Sequence, residues 1–101
     1  MIYRFESGDG KLLRLDTDTA TLLMSTRWLH GRDSTRWSDL YRTPRGRYVV
    51  VQRTLWQGER DIVQELEESE ALMRLALAAE ANQLTLEGQR LLAEHDPSEE
   101  A

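Results

Sequence analysis

The first 60 residues alternate between apolar and polar positions, which is the pattern of strands that bury one face. Residues 1–6 and 11–15 form two short runs of this kind, separated by a segment with two glycines that favours a turn. Residues 19–29 form a longer run without a strand-breaking residue, and its alternation puts Leu22 and Met24 on the same face. The pattern therefore predicts three N-terminal strands.

Residues 35–42 and 47–56 are predicted to form a β-hairpin, because the segment between them has the chemistry of a tight turn. Pro44 fits the second position of a type I turn, and Gly46 fits the left-handed position that follows in a bulged turn. This turn type fixes the register of the two strands. The register pairs Tyr41 with Val49, Asp39 with Val51, and Trp37 with Arg53.

The second strand of this hairpin is apolar on both faces, since residues 48–51 read Tyr-Val-Val-Val. A strand of that kind is normally central in its sheet and covered on both sides. The C-terminal helices predicted below can cover one face only. We therefore expect the other face to meet a second subunit, a ligand or the chain's own loops, and we favour a closed homodimer.

The last 40 residues change to a helical composition rich in Leu, Ala and Glu. Residues 61–66 fit either a strand or a helix, and we favour the strand because the acids at 67–70 are typical of a helix start. Helices are predicted over 68–81 and 86–95, the second with Thr85 as its N-cap. The inner stripe predicted for the first helix consists of Leu72, Leu75, Ala76 and Ala79, with Met73 beside it.

Together these patterns predict a single α+β domain over residues 1–96. An antiparallel meander of five or six strands spans residues 1–66, and two helices in residues 67–96 pack on one face of the sheet. Residues 97–101 form an acidic tail that we expect to be frayed.

Charge is divided unevenly along the chain, whose net charge is −5. Residues 1–60 hold eleven basic and seven acidic side chains, which gives +4, whereas residues 61–101 hold two basic and eleven acidic side chains, which gives −9. The predicted sheet is therefore basic and the predicted helices are acidic.

Arginine and aromatic side chains crowd into a short part of the basic segment, and they are the candidate binding residues. Such groups occur in protein hot spots and in single-stranded nucleic acid sites, where rings stack on bases and cations follow phosphates. They also occur in ordinary cores, where a pair such as Trp37 and Arg53 forms a cation–π contact between strands. The candidate set is Trp28, Arg32, Arg36, Trp37, Arg42, Arg45, Arg47, Arg53 and Trp56.

From these residues we expect a non-enzymatic interaction protein, a homodimer that binds a protein partner through its Arg/aromatic sheet surface. The alternative is a nucleic-acid-binding regulator that uses the same basic face, although the negative net charge argues against it.

Catalytic, cofactor and metal sites are not predicted. The chain has no cysteine, no glycine-rich phosphate-binding loop, and two histidines, His30 and His95, that are far apart in sequence. No apolar run is long enough to span a membrane, and the N-terminus lacks a signal-peptide pattern, so we expect a cytoplasmic protein.

Residues 40–58 read LYRTPRGRYVVVQRTLWQG, and they are followed by Glu59 and by the acidic stretch 67–71. This pattern resembles a group of small uncharacterised bacterial proteins that are often found in plasmids, phages or other mobile elements. The resemblance covers about a third of the chain and supports the hairpin, strand and helix. It implies a phage- or plasmid-type accessory protein, and it assigns no activity and no site residue. The chain departs from the pattern at residues 49–51, where valines replace a bulky aromatic residue.

Overall fold

A computed structural model describes residues 1–27 and 35–100 of the chain. Its six strands are followed by two helices, so the predicted α+β class and the order of the elements are confirmed. The strands are β1 (Ile2–Glu6), β2 (Leu12–Asp16), β3 (Thr21–Ser25), β4 (Arg36–Arg42), β5 (Tyr48–Thr54) and β6 (Ile62–Leu66), and the helices are α1 (Glu68–Glu80) and α2 (Leu86–His95).

The six strands divide between two antiparallel sheets instead of forming one continuous meander. β1 pairs with β2, and a separate four-stranded sheet has the order β3-β4-β5-β6. The helices pack on one face of the four-stranded sheet, and the β1–β2 hairpin packs on its other face. The described residues therefore form three layers: hairpin, sheet and helices.

The β4–β5 hairpin has the turn and the register that the sequence predicts. Gly46 takes a positive φ of 83° and donates its N–H to the carbonyl of Thr43 at 2.9 Å. The N–H of Thr43 donates to the carbonyl of Arg47, also at 2.9 Å, which closes the bulged turn. The pairs Tyr41 with Val49, Asp39 with Val51, and Trp37 with Arg53 are all present.

The core between the sheet and the helices is built from alternate residues of the central strands and from one side of α1. The buried side of α1 consists of Ala71, Leu72, Leu75 and Ala78. The predicted positions Ala76 and Ala79 are half-buried and exposed, so the inner stripe was partly wrong. Alanine is small enough to lie on the buried or the exposed side of a helix, so the alanines alone do not reveal which of them faces the sheet.

A second core covers the face of β5 that the helices leave uncovered. Val49 and Val51 are fully buried there against Phe5 and Leu15 of the β1–β2 hairpin. The chain itself thus covers both faces of β5. The homodimer stays a prediction from the sequence, without the uncovered apolar face on which it rested.

Strand β3 is shorter than predicted and contains an irregularity. A register shift between Leu22 and Met24 interrupts the alternation, because Leu22 pairs with Tyr41 and Met24 pairs with Leu40. Leu22 therefore packs on the hairpin side, whereas Met24 joins the core on the helix side, so the prediction that they share a face was wrong.

The segment that joins α1 to α2 is hydrogen-bonded to β3. The N–H of Thr85 donates to the carbonyl of Leu23 at 3.0 Å, and the N–H of Ser25 donates to the carbonyl of Gln83 at 3.1 Å. The side chain of Thr85 accepts from the N–H of Gly88, which confirms the predicted N-cap of α2. Neither helix of the described residues is long and apolar enough to cross a membrane.

Candidate functional site

The candidate binding residues do not form one surface. Trp28 and Arg32 lie outside the described residues, as does His30. The other seven fall at opposite ends of the β4–β5 ladder, which are about 20 Å apart because the strand rises about 3.3 Å per residue. One end carries Arg36, Trp37, Arg53 and Trp56, and the other carries Arg42, Arg45 and Arg47.

Trp37 belongs to the interior of the protein. Its side chain is buried, and its indole Nε1 donates a hydrogen bond to Oδ2 of Asp39 at 3.3 Å. The Cζ atom of Arg53 lies 5.6 Å from the centroid of the Trp37 ring, which confirms the predicted cation–π contact. Arg27, which the sequence did not single out, lies closer, at 4.2 Å. This ring is therefore used within the chain and is not a free stacking surface.

Arg53 is surrounded by groups that carry or develop negative charge. Its Nη1 atom lies 3.5 Å from Oδ2 of Asp39, and its Nε atom lies 3.9 Å from Oδ2 of Asp61. Burial by itself lowers the pKa of Arg53, but its neighbours Tyr3, Asp39, Tyr41 and Asp61 outweigh burial and raise it. Arg53 is thus held as a cation inside the fold.

Tyr3 connects this cluster to the β1–β2 hairpin, because its hydroxyl donates to Oδ2 of Asp61 at 2.7 Å. Burial and this hydrogen bond raise the pKa of Tyr3 to about 12. Burial, with the charge of Asp39, also raises the pKa of Tyr41. The four polar side chains around Arg53 therefore hold the hairpin, β4 and β5 together.

Trp56 stands at the same end of the ladder but faces outward. Its side chain is 54% exposed, and that of the neighbouring Leu55 is 62% exposed. The indole Nε1 of Trp56 donates to Oγ1 of Thr35 at 2.9 Å, and the N–H of Leu55 donates to the carbonyl of Thr35, also at 2.9 Å. The exposed indole is therefore held in one position by its hydrogen bond to Thr35, and the backbone beside it is held by the bond from Leu55.

An ion pair supports the position of the ring. The Cζ atom of Arg36 lies 5.7 Å from the centroid of the Trp56 ring. The guanidinium of Arg36 binds both carboxylate oxygens of Glu59, at 3.1 and 2.8 Å, and Thr54 donates its hydroxyl to the same carboxylate at 2.7 Å. The hydrogen bond from Arg36 lowers the pKa of Glu59 most, and the bond from Thr54 lowers it further. We call Thr35, Arg36, Leu55, Trp56 and Glu59 the Trp56 platform.

A cleft of about 430 Å³ adjoins the Trp56 platform. Arg36 and Glu59 form part of its wall, together with Gln52 and the exposed side chain of Ile62. Its volume lies in the lower part of the range of ligand pockets. The platform thus offers both a protruding aromatic ring and a neighbouring recess.

The opposite end of the ladder has a different character. Arg47 binds Oε2 of Glu65 at 2.7 Å, and the Cζ atom of Arg42 lies 5.7 Å from the Tyr48 ring centroid. Arg45 is exposed at the turn. Since Arg36, Arg47 and Arg53 each face a carboxylate, much of the basic charge predicted for the sheet is compensated within the chain.

Groups for catalysis or metal binding are sparse in the parts of the chain that the structure describes. No three His, Asp or Glu side chains of residues 1–27 and 35–100 cluster as metal ligands. His95 is exposed near the end of α2, 3.8 Å from Glu94. In the same residues, every buried side-chain nitrogen or oxygen atom has a hydrogen-bond partner.

No protein-family model matches the chain, and comparisons with curated proteins and with solved structures found no significant match. The resemblance to small mobile-element proteins therefore stays a prediction.

Proposed function

We propose that this is a cytoplasmic, non-enzymatic interaction protein that binds another protein through the Trp56 platform. The observation that carries the proposal is an exposed tryptophan held in a fixed position beside an exposed leucine. The resemblance to mobile-element proteins implies that it acts as an accessory protein of a phage or plasmid.

The energetics favour this surface over the remaining candidate residues. Tryptophan and arginine are enriched among interface residues that dominate binding energy. Trp56 is already ordered by its hydrogen bond to Thr35 and by Arg36, so less conformational entropy is lost when a partner covers it. The other candidate ring, Trp37, is buried and supports the fold instead.

The chemistry of the platform defines the partner. The surface needs an apolar pocket that accepts the Trp56 indole and a side chain that enters the adjoining cleft beside Ile62. Arg36 and Glu59 neutralise each other at this rim, so polar uncharged groups fit there better than a strongly charged surface. A second copy of the chain is one possible partner of this chemistry, in accord with the predicted homodimer.

Nucleic acid binding is the alternative, and the ion pairs support it less well. Affinity for a phosphate backbone comes from cations that release counterions. Arg36, Arg47 and Arg53 already have carboxylate partners, which reduces the charge available to phosphates.

The proposal is tested by affinity capture from the native host with the tagged full chain, followed by mass spectrometry and by purification of each captured protein. The same capture uses Trp56→Ala and, as a matched control, Met73→Ala, which removes an equally exposed apolar side chain from α1. We expect a protein that wild type and Met73→Ala retain and Trp56→Ala loses, and that binds directly when purified. If all three capture the same set, or if the purified wild type binds nucleic acid probes and no protein, the proposal is wrong.

A further inference from the structure

A second cleft, of about 480 Å³, lies on the other side of the sheet, between β2 and the turn that joins β4 to β5. It is separate from the Trp56 platform, because the turn is at the far end of the ladder. Its volume is in the range of pockets that hold small molecules. The accessible apolar lining comes from β2, where Leu12 is 76% exposed and Leu13 is half-buried, whereas Phe5 and Val49 are buried.

The charged groups around this cleft are mostly cations. Three arginines line it, Arg14, Arg45 and Arg47, against the single carboxylate of Asp16. An Oδ1 atom of that carboxylate already accepts the N–H of Asp18 at 3.0 Å. The lining therefore carries a net positive charge, although the whole chain has a net charge of −5.

Two of these arginines lack the carboxylate partners that Arg36, Arg47 and Arg53 have. Arg47 is paired with Glu65, but the side chains of Arg14 and Arg45 make no ion pair or hydrogen bond with any described residue. In addition, Arg14 lies directly opposite Arg4 in the β1–β2 register, and like charges in that position destabilise a sheet. An anion bound at this end of the molecule would relieve that repulsion.

The turn that carries Arg45 is well ordered by hydrogen bonds. The N–H of Arg47 donates to Oγ1 of Thr43 at 3.1 Å, and the N–H of Gly46 donates to the carbonyl of Thr43 at 2.9 Å. Pro44 restricts the backbone further. The backbone at Arg45 is thus fixed at the mouth of the cleft before any ligand arrives.

We propose that this cleft binds a small organic anion, with its carboxylate or phosphate group between Arg14 and Arg45 and its apolar body against Leu12 and Leu13. Guanidinium groups bind both oxyanions through paired N–H donors. The apolar lining selects a ligand with a hydrocarbon or aromatic portion over a bare inorganic ion. This site is independent of the Trp56 platform.

The test is a titration of the isotopically labelled full chain, followed by two-dimensional amide NMR. The probes are phenyl phosphate and phenylacetate, with benzyl alcohol as the neutral analogue and inorganic phosphate as the anion without an apolar body. Arg14→Gln and Arg45→Gln remove the proposed contacts. Arg42→Gln is the matched control, because Arg42 is an exposed arginine near the same turn that does not line the cleft.

We expect saturable shifts of the amides at 11–15 and 43–47 with at least one aromatic anion, and the two anions show whether a carboxylate or a phosphate is preferred. Each cleft variant should weaken binding about tenfold or more, since a charge-assisted hydrogen bond is lost, while Arg42→Gln retains the wild-type affinity. The amide spectrum of each variant reports whether it is folded. The proposal is overturned if neither anion gives saturable shifts, if benzyl alcohol or inorganic phosphate binds equally well, or if folded Arg45→Gln binds as tightly as wild type.

Discussion

The hydroxyl of Tyr3 donates a 2.7 Å hydrogen bond to Oδ2 of Asp61, a residue 58 positions further along the chain. This contact joins β1 to the residue that directly precedes β6. The other carboxylate oxygen of Asp61 accepts the N–H of Thr54 at 3.1 Å, so one side chain links the hairpin to the central strand. The hairpin is thereby held over the apolar face of β5 by a polar contact as well as by its core residues.

Removal of this hydroxyl should loosen the hairpin. Tyr3→Phe deletes the hydrogen bond to a carboxylate, and we expect the free energy of unfolding to fall by about 1–2 kcal/mol. Urea denaturation followed by fluorescence measures the change. Tyr48→Phe is the control, since the Tyr48 hydroxyl makes no hydrogen bond with the described residues, and it should cost less than Tyr3→Phe. Equal losses in the two variants would contradict this role of Tyr3.

The same tyrosine predicts a loss of stability in alkali. Its pKa rises from 10.0 in the unfolded chain to about 12 in the folded protein. The folded protein binds this proton more tightly, so the free energy of unfolding is fully retained below about pH 10 and decreases as the pH rises toward about 12. Urea denaturation at several pH values should show this decrease in wild type and a smaller one in Tyr3→Phe. Parallel pH profiles for the two proteins would be the contrary result.

Gly88 is required by the close approach of α2 to β3. A Cβ atom at this position would lie 2.1 Å from the carbonyl oxygen of Leu23. Gly88→Ala should therefore displace the helix and cost at least about 2 kcal/mol, as other overpacked sites do. Gly8→Ala is the matched control, because its Cβ would have no neighbour within 4 Å. Thermal unfolding that gives both variants the same melting temperature would show that the helix can shift without cost.

Thr85 should stabilise α2 through its hydroxyl. Its Oγ1 atom accepts from the N–H of Gly88 at 3.1 Å and donates to the carbonyl of Leu22 at 2.7 Å. We expect Thr85→Ala to lower the free energy of unfolding by about 1–2 kcal/mol, and Thr85→Ser to restore most of it. Chemical denaturation of the three proteins measures both changes, and a serine variant as unstable as the alanine variant would contradict the capping role.

The two arginine ion pairs at the platform end should differ in their contributions. Asp39 is only 5% exposed, so Arg53→Met leaves a buried carboxylate without its cation and should cost about 3 kcal/mol or more. Arg36→Met breaks a pair that lies largely in solvent and should cost less than about 1 kcal/mol. Denaturation curves of the two variants give the comparison, and the reverse order would mean that the cluster around Arg53 does not support the fold.

Local signals in the sequence predicted much of the fold. Pro44 and Gly46 determine the turn and the register of β4 and β5, and Thr85 marks the start of α2. These features depend on a few neighbouring residues. The packing of the β1–β2 hairpin on the far side of the sheet depends instead on contacts such as Tyr3 with Asp61, for which the sequence has no local signal.

The candidate site was harder to predict, because residues that are close in sequence separate along extended strands. Arg36 and Arg42 belong to the same strand, yet they lie at its opposite ends. Of the carboxylates that compensate the sheet arginines, Asp39 lies on β4 itself, and Glu59, Asp61 and Glu65 come from the segment that follows β5. The contrast between a basic first part and an acidic second part therefore overstated the positive charge of the sheet surface.

Isothermal titration calorimetry of the captured protein partner with wild type, Trp56→Ala and Met73→Ala gives three dissociation constants that decide whether the Trp56 platform is the binding surface. A hot-spot tryptophan contributes about 2 kcal/mol or more, so Trp56→Ala should bind at least about 30-fold more weakly, while Met73→Ala binds like wild type. An affinity of folded Trp56→Ala within about threefold of wild type would show that the Trp56 platform is not the binding surface.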